Sequence, residues 1–430
     1  MNRAGSWISS FRLTWMRNMK PKIILSIVMA SFFGLTAKAE DYSASQLIDL
    51  AVSKSKQINV AELEARSREK EASQAAVWEN PTLDLGTENK NETGGSTRQW
   101  KVGASQTIGI PGKYSLRGDV ADADFRIAKL ERNNTELFLR HDIFVKIFAF
   151  LAAEERAKHA EERLSRFKEV QTYIRSRTFA SPQKRAEATI VSGKLMVLEK
   201  ELLKFKAETD VLWDDVNLFL GLAGRPKIRA NWFLKGKSFS FEDLRERLDS
   251  ANPELNRQKL VVEKSEKQLK LSRKDAWPTF TVSGSYADGN GFAPERIYGL
   301  GLSFPIPAFN SNSAGIQASQ FRQQAEVSKL SFERDRTLLR LKTALLRYET
   351  SRSAVQRLSV NRVGEIEKGM TITDQGFRKG QVDLLTYIEA DSQHSESLEA
   401  IYAAQTEYAS YLSNLLTIVG EPTIPLESQP

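Results

Sequence analysis

The sequence predicts a mainly α fold with a small β part, in which long helical hairpins follow pairs of amphipathic strands, four strands to the chain. Three observations predict it. Two long intervals nearly lack proline, which is costly inside a helix: none occurs from Ala308 to Glu421, and only Pro182 interrupts Gly112 to Arg225. Between Pro278 and Pro307 the side chains alternate between apolar and small or polar, the period of a strand. The same pattern occurs twice along the chain.

Residues 1–39 are set apart as a signal peptide. Arg12, Arg17, Lys20 and Lys22 lead into the apolar run Ile23 to Leu35, and Ala37-Lys38-Ala39 fits a small-x-small cleavage site. The run is too short to cross a bilayer. Met19 is an alternative start. The formal charge of +8 belongs largely to this segment: removing its six Lys and Arg leaves +2, too little basic excess to argue for nucleic acid as a partner. With no cysteine, the chain has neither a disulfide framework nor a thiolate metal site nor a lipid-modified cysteine. No later stretch approaches the eighteen to twenty apolar residues of a transmembrane helix, so any membrane crossing is made by strands.

The first repeat spans 40–221: an amphipathic helix, a β-hairpin over 81–110 and a helical hairpin over 113–221. In its strands Leu83 and Leu85 pair with Trp100, Val102, Ala104 and Ile108 across the polar loop Asn89 to Thr97. A linker follows at 222–240. The second repeat, 241–421, has its β-hairpin at 278–307 and its helical hairpin at 312–420, and 422–430 is a tail. In this hairpin Phe280, Val282, Tyr286, Tyr298, Leu300, Leu302, Phe304 and Ile306 face one way, and Thr279, Thr281, Ser283, Ser285, Gly299, Gly301 and Ser303 the other. A half-buried soluble sheet would show a similar alternation. The first arms, 113–177 and 312–376, would each be roughly 100 Å long at 1.5 Å per residue, with Leu338, Leu341, Leu345 and Tyr348 as a core stripe. Each hairpin turns at a break, Phe179 to Pro182 in one and Gly376 to Gly380 in the other. The duplication is visible at an offset of 197: Leu47 with Leu244, Asn59 with Asn256, Lys70 with Lys267, Pro81 with Pro278. It drifts to 199 at Gly221 and Gly420.

Four strands cannot close a barrel, and an open edge in lipid leaves backbone groups unpaired, so the chain must oligomerise. Three copies would supply twelve strands, the polar face lining water and the apolar face meeting lipid.

Asn80-Pro81-Thr82-Leu83, Ser105-Gln106-Thr107-Ile108 to Pro111-Gly112-Lys113, Leu302 to Pro307, and Gly380-Gln381-Val382-Asp383-Leu384-Leu385, set in the duplicated unit, resemble the TolC family of outer-membrane efflux proteins, and more narrowly its CzcC-like heavy-metal branch. The resemblance spans the mature chain. It implies a homotrimer with a β-barrel in outer-membrane lipid and a periplasmic α-barrel whose tips dock on a periplasmic adaptor, a membrane fusion protein, and through it on an inner-membrane pump of the RND type. It places the docking tips at Ala180, Ser181 and Pro182 and at Lys379, Gly380 and Gln381, with Gly376 beside the second. It places a cation-attracting ring at the pore constriction on Asp383, where Thr386 stands in place of a second acid one turn on; a solvated helix cap is the plainer reading of that aspartate. The lipid-facing residues would be Phe280, Val282, Tyr286, Tyr298, Leu300, Leu302 and Phe304.

No phosphate loop or nucleophile elbow is present. His141, His159 and His394 are too scattered for a metal site by local spacing and read as solvated helix residues. No enzyme, cofactor or bound metal is expected. The resemblance favours divalent heavy-metal cations as cargo. A drug or type I secretion exit duct would share the fold, and a periplasmic helical-hairpin adaptor or structural coiled coil would share the long hairpins but lack duplicated amphipathic strands.

Overall fold

The computed structural model describes residues 41–92, 95–176, 181–229, 234, 236–290, 295–358 and 360–424. The expected signal peptide lies outside the described residues. Each half of the chain presents an amphipathic helix, a longer helix, two strands and a helical hairpin.

In the first half, β1 (Tyr42–Ser43) leads into α1 (Ala44–Lys54), whose capping box joins Ser43 to Gln46 in both directions. Then come α2 (Lys56–Ala75), β2 (Thr82–Glu92), β3 (Gly95–Ile108), α3 (Lys113–Arg175) and α4 (Pro182–Leu220). The second half runs from β4 (Ile228–Arg229) through α5 (Phe241–Ala251), α6 (Pro253–Asp275), β5 (Phe280–Asn290), β6 (Glu295–Ser303), α7 (Ser313–Arg357) and α8 (Val360–Arg378) to α9 (Leu384–Ile418). β1 and β4 pair in parallel, joining the two halves near their starts. Matching positions adopt matching unusual backbone. Gly112 and Asn312 precede the two long helices with positive φ, and Gly221 and Gly420 end the returning helices the same way.

Three expectations are corrected. The second long arm is not one helix: α7 stops at Arg357 and α8 starts at Val360, with Leu358 leaving helical geometry at φ −93°, ψ 45°. α3 runs unbroken for 63 residues. The expected loop Asn89 to Thr97 is largely strand, since the ladder continues through Asn89↔Arg98 to Glu92↔Gly95: polar side chains do not stop a hairpin whose backbone bonds are already in register. β6 ends at Ser303, leaving Phe304 and Ile306 beyond the strand.

The helices lie side by side in the order α4, α3, α9, α7, with α8 against α9; α2 packs on α3, and α6 on both α3 and α7. The main core gathers where α1 and α5 cover the middle of this layer: Leu47, Ile48 and Ala51 of α1 and Leu244 and Leu248 of α5 meet Phe144 and Ile147 of α3, Leu341 and Tyr348 of α7, and Leu412 and Leu416 of α9. Tyr348 and Tyr408 share a hydrogen bond at this centre, and the Tyr348 hydroxyl also donates to the Lys237 carbonyl. A separate core forms at the hairpin ends from Phe167, Val170, Ile174, Val191, Phe377 and Tyr387. Gly420 is confined twice: its φ is +68°, and an added Cβ would lie 2.1 Å from the Ala251 carbonyl oxygen.

Candidate functional site: an apolar sheet face and two helical tips

β2, β3, β5 and β6 form one antiparallel sheet in that order. The register places Leu85 beside Val102, Val102 beside Tyr286, and Tyr286 beside Tyr298; likewise Val282 sits beside Leu302 and Gly284 beside Leu300. One face therefore carries Leu83, Leu85, Trp100, Val102, Ile108, Phe280, Val282, Tyr286, Tyr298, Leu300 and Leu302. The opposite face carries Asp84, Lys101, Gly103, Ser105, Thr107, Thr281, Ser283, Ser285, Gly299, Gly301 and Ser303. Among the described residues nothing covers the apolar face: Leu300 is 96% exposed, Tyr298 77% and Leu85 73%.

Aromatic rings bracket that face. Trp100 meets Tyr286 edge-on with centroids 5.4 Å apart, and Tyr286 lies 5.2 Å from Tyr298. At the helix end Phe280 and Phe304 are 5.6 Å apart. Six residues of strand, roughly 20 Å, separate the two groups, close to the apolar band of an outer-membrane strand with its aromatic girdles. Each expected lipid-facing residue lies on this face or, for Phe304, just past it. β2 and β6 form the outer edges of the sheet.

The helical turns meet at the opposite end. Ala180 lies outside the described residues. Ser181 caps α4, its hydroxyl accepting from the Lys184 amide at 3.3 Å, and Pro182 occupies the first turn, where its missing N–H costs nothing. In the other turn Gly380 has φ +76°, and the Gln381 amide donates back to the Gly376 carbonyl at 2.8 Å. Lys379, Gly380 and Gln381 are exposed. Tyr173, Gln183, Lys184, Glu187, Phe377 and Val382 line a cleft between the two turns.

Asp383 is the N-cap of α9. One oxygen accepts from the Leu385 and Thr386 amides at 2.9 and 3.0 Å, and the other from the Thr386 hydroxyl at 2.7 Å. These hydrogen bonds, the Thr386 hydroxyl first, hold its carboxyl below the usual range. Thr386 thus supports the aspartate. Sequence reasoning missed the clamp above it: Arg378 of α8 reaches Glu169 of α3 at 2.6 Å and Asp374 at 2.8 Å, and the Tyr173 hydroxyl donates to the Arg378 carbonyl. Its only sequence signal was a basic residue inside the break.

The histidine expectation is also corrected. All three are buried. His141 Nε2 lies 2.8 Å from the Glu421 carbonyl oxygen, and His159 and His394, 235 positions apart, have ring centroids 5.2 Å apart. Local spacing could not show this, because α3 and α9 meet only in the tertiary fold.

A chain with an uncovered apolar sheet above a long helical layer has the architecture of an outer-membrane channel subunit. Residues 244–421 match the outer membrane efflux protein family. It is 23% identical over 320 residues to the nickel-cobalt-cadmium resistance protein NccC of Alcaligenes xylosoxydans xylosoxydans, covering 71% of this chain and 69% of that protein. In fold it resembles CusC, with a TM-score of 0.70 at 15% identity, covering 88% of this chain and 92% of that one. It also resembles the open state of the Neisseria gonorrhoeae MtrE channel, with a TM-score of 0.69 at 16% identity, covering 90% and 92%. The fold is that of efflux channels.

Proposed function

We propose that three copies of this chain, freed of residues 1–39, close a twelve-stranded barrel over a helical tunnel and form the exit duct of a tripartite pump for divalent heavy-metal cations. The observation that carries the assembly is the unfinished sheet. An apolar face with free strand edges cannot rest in lipid as a monomer, because each unpaired backbone group there costs several kcal/mol, on the order given by transfer into hydrocarbon.

The helical layer supports the same reading. Its outer helices carry exposed apolar side chains: Ile190, Val197, Val211 and Leu218 of α4, and Phe332, Leu339 and Leu346 of α7. Both sets keep seven-residue steps, the spacing of a helix seam. In the trimer α4 of one copy meets α7 of the next. The two repeats, 40–221 and 241–421, act as equivalent staves of the tunnel, with 222–240 linking them. The exposed turns at Ser181, Pro182, Lys379, Gly380 and Gln381 face a periplasmic adaptor, and three Asp383 carboxylates narrow the entrance and favour cations. The metal cargo rests on the similarity to NccC.

The test is to purify the protein from outer membranes, determine its mass in detergent and record conductance in planar bilayers. Trimers giving cation-preferring steps that change in Asp383→Ala are expected. A monomer that carries no current would overturn the channel assembly. Cargo is tested in cells lacking the gene: sensitivity to nickel, cobalt or cadmium, reversed by the intact chain, is expected, and sensitivity to organic compounds alone would overturn the metal assignment.

A further inference from the structure

Between the main core and the core at the hairpin ends, the α3–α9 seam changes character. His159 and His394 face each other there, both buried, and neither His159 Nε2 nor either ring nitrogen of His394 has a hydrogen-bond partner. Buried polar atoms are nearly always paired, so such a cluster calls for an explanation. The charged groups acting on the pair are Arg163 and Arg166 of α3 and Asp391 of α9, with Glu201 of α4 paired to Arg163. One level toward the main core, Arg156 holds Glu399 at 2.8 Å and Glu208 at 3.5 Å. On the tip side Lys194 of α4 lies 3.4 Å from the Ser392 hydroxyl.

The chemistry disfavours a metal. Arg163 already engages Asp391 at 2.6 Å, Arg166 stands 3.8 Å from its other oxygen, and two guanidinium groups repel a cation. Among the described residues no group of three or more His, Cys, Asp and Glu side chains could hold a metal ion. The same surroundings oppose a proton on either imidazole. Burial first, and then its neighbours His394, Arg166 and Arg163, push His159 down to about 3; burial also lowers His394.

We infer that the His159–His394 pair is an acid-sensitive latch: while both rings are neutral α3 and α9 close over them, and a proton taken up beside Arg163 and Arg166 drives the helices apart and frees the tips. The position suits the role. Beyond the pair the seam is held by the tip core of Leu164, Phe167, Leu384 and Tyr387, which the same two helices supply. The sign follows from linkage. A base whose folded pKa is lowered favours the closed state above its ordinary value near 6.5, and that preference is lost as pH falls toward the folded value. One proton per opening changes the open-to-closed ratio about tenfold per pH unit over that window.

Hydrogen–deuterium exchange on the full chain in detergent, corrected for the intrinsic pH dependence of exchange, tests the seam without assuming that the protein conducts. Between about pH 7.5 and about pH 4.5, protection along 156–166 and 391–398 should fall in the wild type and stay level in His159→Phe/His394→Phe. Arg166→Gln keeps both imidazoles and removes one repelling cation, so the closed seam tolerates a proton better and its loss of protection should be smaller and need lower pH. An acid response that survives the double replacement, or a midpoint that Arg166→Gln does not move, overturns the latch; the second arm decides the matter if the double variant fails to fold. In planar bilayers the control of the tips reads as conductance that rises with acid in the wild type and not in the double variant. Acid-independent current from a channel whose seam does open would overturn that control. A chain that carries no current at any pH would instead refute the channel reading, with exchange still deciding the latch.

Discussion

Replacing Arg163 by Met should be among the most damaging single changes in the helical layer. Its guanidinium meets Asp391 through Nε at 2.7 Å and Nη2 at 2.6 Å, and Nη1 reaches Ser395 at 3.1 Å and Glu201 at 3.3 Å. Asp391 has no exposed side-chain surface, whereas Glu201 is 40% exposed and rehydrates readily. Methionine fills much the same volume, so the loss is electrostatic. Stranding a buried carboxylate costs about 3–5 kcal/mol, and Arg166 at 3.8 Å keeps the effect toward the lower end. Asp391→Leu alone strands the guanidinium and is also destabilising. Arg163→Met/Asp391→Leu removes both charges and should recover most of the loss, because replacing a buried ion pair by apolar groups is often neutral or better. The assay is denaturant unfolding in detergent followed by circular dichroism in the helical band. An Arg163→Met variant within about 0.5 kcal/mol of wild type, the range of ordinary surface changes, would refute the reasoning. So would a double variant no better than the worse single.

Further changes probe other parts of the molecule. Leu300→Arg places a charge on the uncovered sheet face and should cost about 2–4 kcal/mol near the bilayer midplane, read as loss of folded protein from outer-membrane fractions, while Ser283→Thr on the opposite face should be tolerated. Gly420→Ala forces a Cβ against the Ala251 carbonyl and a left-handed φ on an L residue; it should lower the unfolding midpoint more than Gly380→Ala, which meets no neighbour. Because its hydrogen bonds lower the Asp383 carboxyl, its capping of α9 is present above the ordinary carboxylate pKa and lost as pH falls through the folded value. Fraying at the start of α9, followed by exchange of the Leu385 and Thr386 amides, should therefore appear in strong acid and already at neutral pH in Asp383→Ala. Leu339→Asp and Val211→Asp should each leave the monomer fold intact and reduce the trimer seen by mass in detergent.

The period of the side chains determined much from sequence alone. Alternation in 280–286 and 298–302 set the two faces of the strands, and three- and four-residue steps through Leu341 and Tyr348 set a buried helical stripe, because the backbone geometry of each element turns sequence spacing into direction. Gly380 and Pro182 marked the turns for equally local reasons. The duplication pointed to equivalent roles for Gly221 and Gly420, which share their left-handed backbone.

Tertiary structure decided what depends on distant partners. Polar residues 89–92 and 95–97 continue a ladder because β2 and β3 are already in register. The break between α7 and α8 leaves no proline or glycine in Arg357 to Val360 to announce it. His159 and His394, solvated by any local reading, are buried because α3 and α9 cross the same level from opposite ends of the chain. Local periodicity reports which way a residue points, and only the packing of helices far apart in sequence reports what it meets there.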